Sequence, residues 1–258
     1  MQFPKRPVII IPSRLASSRL PNKPLADIHG QPMIVLCLRR ALETDIGPVI
    51  VACADEEIFS VVKEAGGKAI MTDHDHISGS DRIFEALTIF DPDCIHDCVI
   101  NFQGDMPIID PNVVRATLGP MNNESIGIST LVSKISEAAD CADKNIVKAV
   151  VALTDGEKSG RAIYFSRADV PFGNGQKYHH IGLYTYRRDV LQRFVDLPVG
   201  KIERQEQLEQ LRALEYGIRI EAVLVDTNPI GVDTLEDLNL VRKILEAQKP
   251  EMGKVHGK

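Results

Sequence analysis

The sequence predicts an α/β protein built on a mixed, mostly parallel β-sheet flanked by helices, with a smaller β-rich region inserted in its second half. Three observations predict it. Apolar runs of four to six residues alternate, through the first part of the chain, with stretches whose apolar residues recur at helical spacing. Such unbroken runs suit strands covered on both faces, as in a parallel sheet of βαβ units. From about residue 126 the strand patterns follow one another with shorter connections. No repeat, low-complexity tract or linker-like composition interrupts the 258 residues. Residues 1–248 therefore read as one domain, with an insertion at about 160–200 and a polar tail at 249–258 expected to fray.

The elements follow in order. VIII (8–11) reads as a buried strand and MIVLCLRRALE (33–43) as a helix. VIVAC (49–53) is a second strand, and EEIFSVVKEAGG (56–67) a helix closed by glycine. KAIMT (68–72) is a third strand. DRIFEALTIF (81–90) is a helix with Ser80 available as its N-cap, and CVINF (98–102) a fourth strand. In the second half IGISTLVS (126–133), VKAVVAL (147–153), RAIYFS (161–166), IGLYTY (181–186) and RIEAVLV (219–225) read as strands, with TDGEKSG (154–160) as a hairpin turn. ERQEQLEQLRALEYG (203–217) reads as one strong helix with Leu208, Leu211 and Leu214 on a stripe and Gly217 at its end. TLEDLNLVRKILEAQ (234–248) is a last helix with Thr234 as its cap.

Composition narrows the function. Hydrophobic content of 44 % and charged content of 26 % are ordinary for a globular protein. No apolar run nears the roughly 20 residues that cross a bilayer, and the N-terminus shows no signal-peptide pattern. The five cysteines (Cys37, Cys53, Cys94, Cys98, Cys141) are odd in number and scattered, which favours a reducing, cytoplasmic setting. A net charge of −6 and the absence of tryptophan argue against a nucleic-acid binder.

Against that negative background, one loop is basic. SRLASSRLPNKP follows the first strand and carries Arg14, Arg19 and Lys23, with no acid before Asp27. Ligands of open α/β sheets bind beyond the carboxyl ends of the strands. Three cations, serine hydroxyls and backbone N–H groups there suit a polyphosphate. A solvated basic loop is the competing reading. The loop is neither a Walker A loop nor a dinucleotide fingerprint, because both glycine patterns are missing. Asp105, in NFQGDMP after the fourth strand, reads as a magnesium ligand or as an ordinary turn aspartate. Asp233, in PIGVDTLEDL, reads as a second metal ligand or as a helix cap. The histidines of HDH (74–76) and the pattern CIHDC (94–98) lack a second ligand pair at zinc spacing.

In order and spacing, SRLASSRLPNKPL, ISGSDR (77–82), NFQGDMP, YFSR (164–167), HHIGLY, LEQLRALEYG and GVDTLEDL resemble the 3-deoxy-manno-octulosonate cytidylyltransferases, the CMP-Kdo synthetase family. The resemblance runs from about residue 7 to 245. It implies a nucleotide-diphospho-sugar transferase-like, Rossmann-like fold and a homodimer, with the inserted β-rich region as the dimerisation region. It implies transfer of CMP from CTP to 3-deoxy-D-manno-octulosonate (Kdo) with Mg²⁺, for lipopolysaccharide assembly in Gram-negative bacteria. By position, Arg14, Arg19 and Lys23 match residues on the CTP phosphates, Ser80 and Arg82 a nucleotide-side segment, and Gln103 a nucleotide-binding position in the family's QGD motif. Asp105 and Asp233 match the metal aspartates, and Arg14, Lys23, Asp105 and Asp233 the catalytic set. Gln103, Tyr164, Arg167, His180, Glu209 and Gln210 match positions facing the sugar acid. Many members read QGDEP where this chain has Met106, so residue 106 need not bind metal.

Residue chemistry alone leaves the sugar-side set open. One of His179 and His180 faces solvent on the simplest strand reading, Glu209 lies among charged neighbours as on a solvated face, and Arg167 has Asp169 nearby. Two other functions compete: a cytidylyltransferase for a related sugar acid such as 8-amino-Kdo or a sialic acid, and a nucleotide-sugar-binding protein without turnover.

Overall fold

The computed structural model describes residues 4–17 and 19–248, so the polar tail lies outside the described residues. In chain order the strands are β1 (Pro7–Ser13), β2 (Asp27–Ile28), β3 (Gln31–Pro32), β4 (Val49–Cys53), β5 (Ala69–Met71), β6 (Cys98–Asn101), β7 (Ile128–Lys134), β8 (Lys148–Ala152), β9 (Ser159–Ser166), β10 (Tyr178–Arg187) and β11 (Ile220–Val225). The α-helices are α1 (Met33–Leu42), α2 (Glu56–Glu64), α3 (Gly79–Phe90), α4 (Pro111–Ala116), α5 (Ala138–Ala142), α6 (Arg188–Asp196), α7 (Lys201–Glu206), α8 (Gln210–Glu215) and α9 (Leu235–Ala247). A single 3₁₀ turn, Lys23–Leu25, follows the basic loop.

A nine-stranded sheet runs β5-β4-β1-β6-β10-β7-β11-β9-β8, and β2 and β3 form a separate ribbon. β1 lies parallel to β4 and β6, β4 to β5, and β11 to β7. β10 runs antiparallel to both β6 and β7, and β9 antiparallel to β11 and β8. The sheet is therefore mixed, as expected from sequence, but its strand pairings are not mostly parallel, which corrects that part of the expectation. The cause is β10. It enters between two sets of strands pointing the same way and runs against both, and apolar content carries no information on strand direction.

Alternation along β1 assigns the two faces. Ile9 and Ile11 join one apolar layer with Met33, Leu38, Val114, Leu238 and Val241. Val8 and Ile10 join the other with Ile83, Leu87, Leu191, Phe194 and Leu211. Helices α1, α2, α4 and α9 thus cover one face, and α3, α6 and α8 the other. Both faces of the central strands are fully dry, which is why they read as unbroken apolar runs.

Two local expectations need correction. Ser78, not Ser80, caps α3: its Oγ accepts from the Asp81 N–H at 3.1 Å, while Ser80 is completely buried. The stretch 203–217 is not one helix. Gln207 adopts φ 55 and ψ 47, ending α7, and α8 begins at Gln210. A left-handed glutamine costs about 1 kcal/mol, and long-range contacts offset it. Glu215 accepts from the N–H groups of Lys201, Ile202 and Glu203 at 2.9–3.1 Å, which caps α7 from the end of α8. Arg212 meets the Glu203 carboxylate through two bonds, at 2.9 and 2.7 Å. Gly200 permits this closure, since a Cβ there would lie 2.1 Å from Glu215 Oε1.

Candidate active site

The parallel strands deliver their C-terminal ends to one rim. β1 ends at Ser13 and passes into the basic loop, β6 ends at Asn101 and passes into Gln103-Gly104-Asp105, and β11 points the same way ahead of Asp233. The loops are tied to one another. The Leu15 N–H donates to Asp55 Oδ2 at 2.8 Å, and the Val232 N–H to the Asp105 carbonyl at 2.9 Å. Gly104 passes so close to β1 that a Cβ would sit 3.1 Å from the Pro12 carbonyl oxygen.

A cavity of about 360 Å³ opens at this rim, lined by Arg14, Arg19, Lys23, Arg82, Gln103, Asp105 and Asp233 among others. Four cations and two carboxylates from distant parts of the sequence thus share one space. Lys23 lies at its centre: Nζ donates to Asp105 Oδ2 at 2.8 Å and to Asp233 Oδ1 at 3.0 Å. Arg19 reaches Asp233 Oδ2 at 2.9 Å. Burial works against the Lys23 ammonium, but the two aspartates outweigh it and hold Lys23 above the ordinary lysine value. Asp233 is not a helix cap. Thr234 caps α9, and Asp237 accepts the Asp233 N–H at 3.0 Å, so the Asp233 carboxylate is left to face the cations. Met106 is buried in the apolar layer and cannot also face the cavity as a ligand.

Arg82 is more constrained than its neighbours. Its guanidinium donates to Thr72 Oγ1 at 2.7 Å and to the Asp73 carbonyl at 2.9 Å, which secures the loop after β5. Burial, then the charge of Arg14, pull its pKa below the ordinary arginine value. Gln103 donates to Asn101 Oδ1 at 3.1 Å. The cavity wall also includes His76 and Ser78, which sequence reasoning did not single out. His76, seen there only as half of a weak zinc pattern, instead bonds Glu85. Lysine already answers the test of whether the site suits a divalent cation. Two hard carboxylate oxygens converge on one positively charged centre, the donor chemistry magnesium prefers. Among the described residues no three His, Cys, Asp or Glu side chains gather to hold an ion unaided, so substrate oxygens would complete the set.

Of the sugar-side candidates only Gln103 lines this cavity; Tyr164, Arg167, His180, Glu209 and Gln210 do not. They form a second group around β9, β10 and the α7–α8 corner. Tyr164 and Arg167 share Glu206: the Tyr164 hydroxyl donates to Oε1 at 3.3 Å and the Arg167 N–H to Oε2 at 3.0 Å. Burial, then the Glu206 charge, raise the Tyr164 pKa. Asp169 pairs with Lys177 rather than with Arg167. Glu209 is not on a solvated face. Its Oε2 accepts from Ser80 Oγ at 3.2 Å, while Oε1 is buried without a hydrogen-bond partner among the described residues. Burial raises its pKa, opposed by hydrogen bonds from Ser78 and Ser80 and by Arg212. Ser80 thus meets a sugar-side candidate and does not line the rim cavity.

His180 is buried, between Phe165 and Tyr184, with ring centroids 4.7 and 5.5 Å away. Its Nε2 lies 3.0 Å from Thr130 Oγ1, a hydroxyl also within reach of the Ile181 and Leu183 carbonyls at 3.2 and 2.9 Å. Nδ1 faces the Gln210 amide nitrogen at 3.5 Å, and a donor on that side places the ring proton on Nε2. Burial, then neighbouring His179, push the His180 pKa down to about 3. The unfolded chain takes up this proton near pH 6.5 and the folded chain does not. Stability from this group is therefore complete above pH 6.5 and lost as pH falls towards 3, by about 1.4 kcal/mol per pH unit. Urea unfolding between pH 6 and 4 checks this: His180→Gln is expected to flatten the pH slope relative to the unaltered protein.

The comparisons agree with this geometry. A cytidylyltransferase family profile matches residues 8–220. A 3-deoxy-manno-octulosonate cytidylyltransferase of Paramagnetospirillum magneticum is 52 % identical over 93 % of this chain and 98 % of its own. That of Rhodospirillum centenum is 55 % identical over 94 % of this chain and 95 % of its own. A solved CMP:2-keto-3-deoxy-manno-octonic acid synthetase complexed with CTP superposes with a TM-score of 0.86 at 40 % identity, covering 94 % of this chain and 99 % of that one. With its cationic rim, its paired aspartates and near end-to-end similarity, the chain belongs to the cytidylyltransferase family and, within it, to the 3-deoxy-manno-octulosonate cytidylyltransferases.

Proposed function

We propose that the protein transfers CMP from CTP to the anomeric hydroxyl of Kdo, releasing pyrophosphate, and so supplies an activated sugar acid for lipopolysaccharide. The observation that carries this reading is the rim cavity, where Arg14, Arg19 and Lys23 stand beside Asp105 and Asp233. Triphosphate oxygens match the cations, and Lys23 can exchange one anionic partner for another within the same space. Mg²⁺ held by Asp105 and Asp233 with substrate oxygens supplies neutralisation of phosphate charge and acidifies a hydroxyl bound to it. The reaction is then an in-line displacement at the α-phosphorus, and the chain's own part is chiefly positioning and electrostatics.

The second group meets the sugar acid. Kdo brings one carboxylate and many hydroxyls. Arg167 suits the carboxylate, and the unpartnered Glu209 Oε1 suits a hydroxyl donor. Gln103, Tyr164 and Gln210 add hydrogen bonds, and His180, neutral and buried, orients Gln210. We further place the enzyme in the cytoplasm, in accord with its unpaired cysteines, as a homodimer joined through residues of about 160–200. Among the described residues no helix is long and apolar enough to cross a membrane. Pyrophosphate release with CTP tests the assignment. Kdo is expected to support turnover at least about tenfold better in kcat/KM than 8-amino-Kdo or a sialic acid, the discrimination one lost hydrogen-bonded group supplies. Preference for another sugar acid, or CTP binding without turnover, would overturn it.

A further inference from the structure

Nearly every polar handle of Arg167 is already engaged. Its N–H donates to Glu206 Oε2 at 3.0 Å, and its carbonyl accepts from Lys148 Nζ at 2.9 Å. Its Nε donates to the Glu206 carbonyl at 3.2 Å, and Nη1 to the Lys144 carbonyl at 3.0 Å. Nη2 alone has no partner among the described residues. The Glu206 carboxylate does more than this. Its Oε1 also accepts from Ser166 Oγ at 2.8 Å and from the Tyr164 hydroxyl at 3.3 Å. One side chain at the end of α7 thus fixes the last residues of β9 and the arginine that follows.

Lys148 holds the opposite side. It is fully buried and donates to three carbonyls, of Asp143, Ile146 and Arg167, at 2.6–2.9 Å. Three acceptors require three N–H bonds, which only the ammonium provides. Arg167 is therefore gripped by an anion on its amide side and a cation on its carbonyl side.

We propose that Glu206 is a positioning residue for sugar-acid binding: its carboxylate, working against Lys148, fixes the Arg167 backbone, from which the guanidinium extends to the Glu206 and Lys144 carbonyls and presents Nη2 to the ligand's carboxylate. This rests on the reading of Arg167 as a sugar-acid contact. Glu206→Gln replaces one of two acceptors with an N–H₂ group, so it cannot satisfy both the hydroxyls and the Arg167 N–H.

The test is steady-state kinetics of the full-length protein, varying Kdo at saturating CTP and the reverse, for Arg167→Met, Glu206→Gln and the double variant, with thermal unfolding alongside. Arg167→Met is expected to raise KM for Kdo about tenfold and leave KM for CTP within about twofold. Glu206→Gln is expected to raise KM for Kdo about fivefold with kcat little changed, and the double variant to be no worse than Arg167→Met. Glu206→Asp, which keeps the charge, is expected to recover part of the loss, and it replaces Glu206→Gln in the cycle if the latter unfolds. A normal KM for Kdo in Arg167→Met would overturn the reading of Arg167 and the proposal with it. Impaired Arg167→Met with an unimpaired Glu206 variant, independent effects that multiply in the double variant, or an equal rise in KM for CTP would overturn the positioning role alone.

Discussion

Asp105→Asn and Asp233→Asn are each expected to lower turnover with CTP and Kdo by about 10²–10³-fold, while the melting temperature moves by only a few degrees. Asparagine keeps the size of aspartate and removes its charge. At Asp105 that removes the shorter of the two bonds to Lys23, 2.8 Å against 3.0 Å, and half of the anionic pair that a divalent cation would meet. The Asp233 change strips the partner shared by Lys23 and Arg19. Neither carboxylate caps a helix or fills the core, so the fold loses little. The Asp233 carboxylate in particular is 44 % exposed, where an ion pair adds little to stability. Pyrophosphate-release kinetics and thermal unfolding on the same preparations check both halves. Near-normal turnover in both variants would remove these aspartates from the chemistry.

The largest loss of stability is expected far from the cavity. Arg212→Met should destabilise the protein by about 3–5 kcal/mol, because it leaves the Glu203 carboxylate buried and unpaired. The two side chains are only 7 % and 9 % exposed and are joined by paired hydrogen bonds. Arg212 also lies over the Phe194 ring, 4.9 Å from its centroid. Methionine replaces some of that apolar contact but none of the charge. For a chain of this length such a loss lowers the melting temperature by about 10 °C. The double variant Arg212→Met/Glu203→Met should be more stable than Arg212→Met, since no orphan charge remains. By contrast, Arg40 and Glu43 form a surface pair, and removing it should cost under about 0.5 kcal/mol. Urea titrations of the variants compare the three directly. An Arg212→Met variant as stable as the surface mutant would show that the α7–α8 corner is held by something other than its ion pair.

The strands of the first half were legible because burial on both faces forces unbroken apolar runs, as in VIVAC, which matches β4 residue for residue. The basic loop was legible for the opposite reason: three cations stand out in a chain of net charge −6. What the sequence hid is set by contacts between distant residues. Nothing local marks the break at Gln207, with neither glycine nor proline there; it follows from Glu203, Arg212 and Glu215 closing on one another. Helix α6 escaped notice because five of its nine residues, RDVLQRFVD, are charged or amide-bearing and mask the apolar stripe of Leu191 and Phe194. Glu206 looked like one more acid on a charged helix, and only the approach of β9 gives it partners. Residue chemistry alone suggested a solvated face for Glu209 for the same reason, whereas the carboxylate is covered by α3 through Ser80.

β10 has a mechanical consequence. At one end Tyr178 and His179 lie opposite Ala149 and Lys148 of β8, with His180 next in line; further along, Tyr184 lies opposite Asn101, two residues before Gln103. It pairs with β7 on both sides of an irregularity between Ile181 and Tyr184, where the register shifts. The span from the cavity rim to the group around His180 is therefore set by paired strand rather than by a flexible connection. No hinge can shorten it without tearing a ladder of hydrogen bonds. On the proposed placement of the acceptor, one that is too short or too long meets this set separation, and size selection becomes a matter of geometry rather than of closing force.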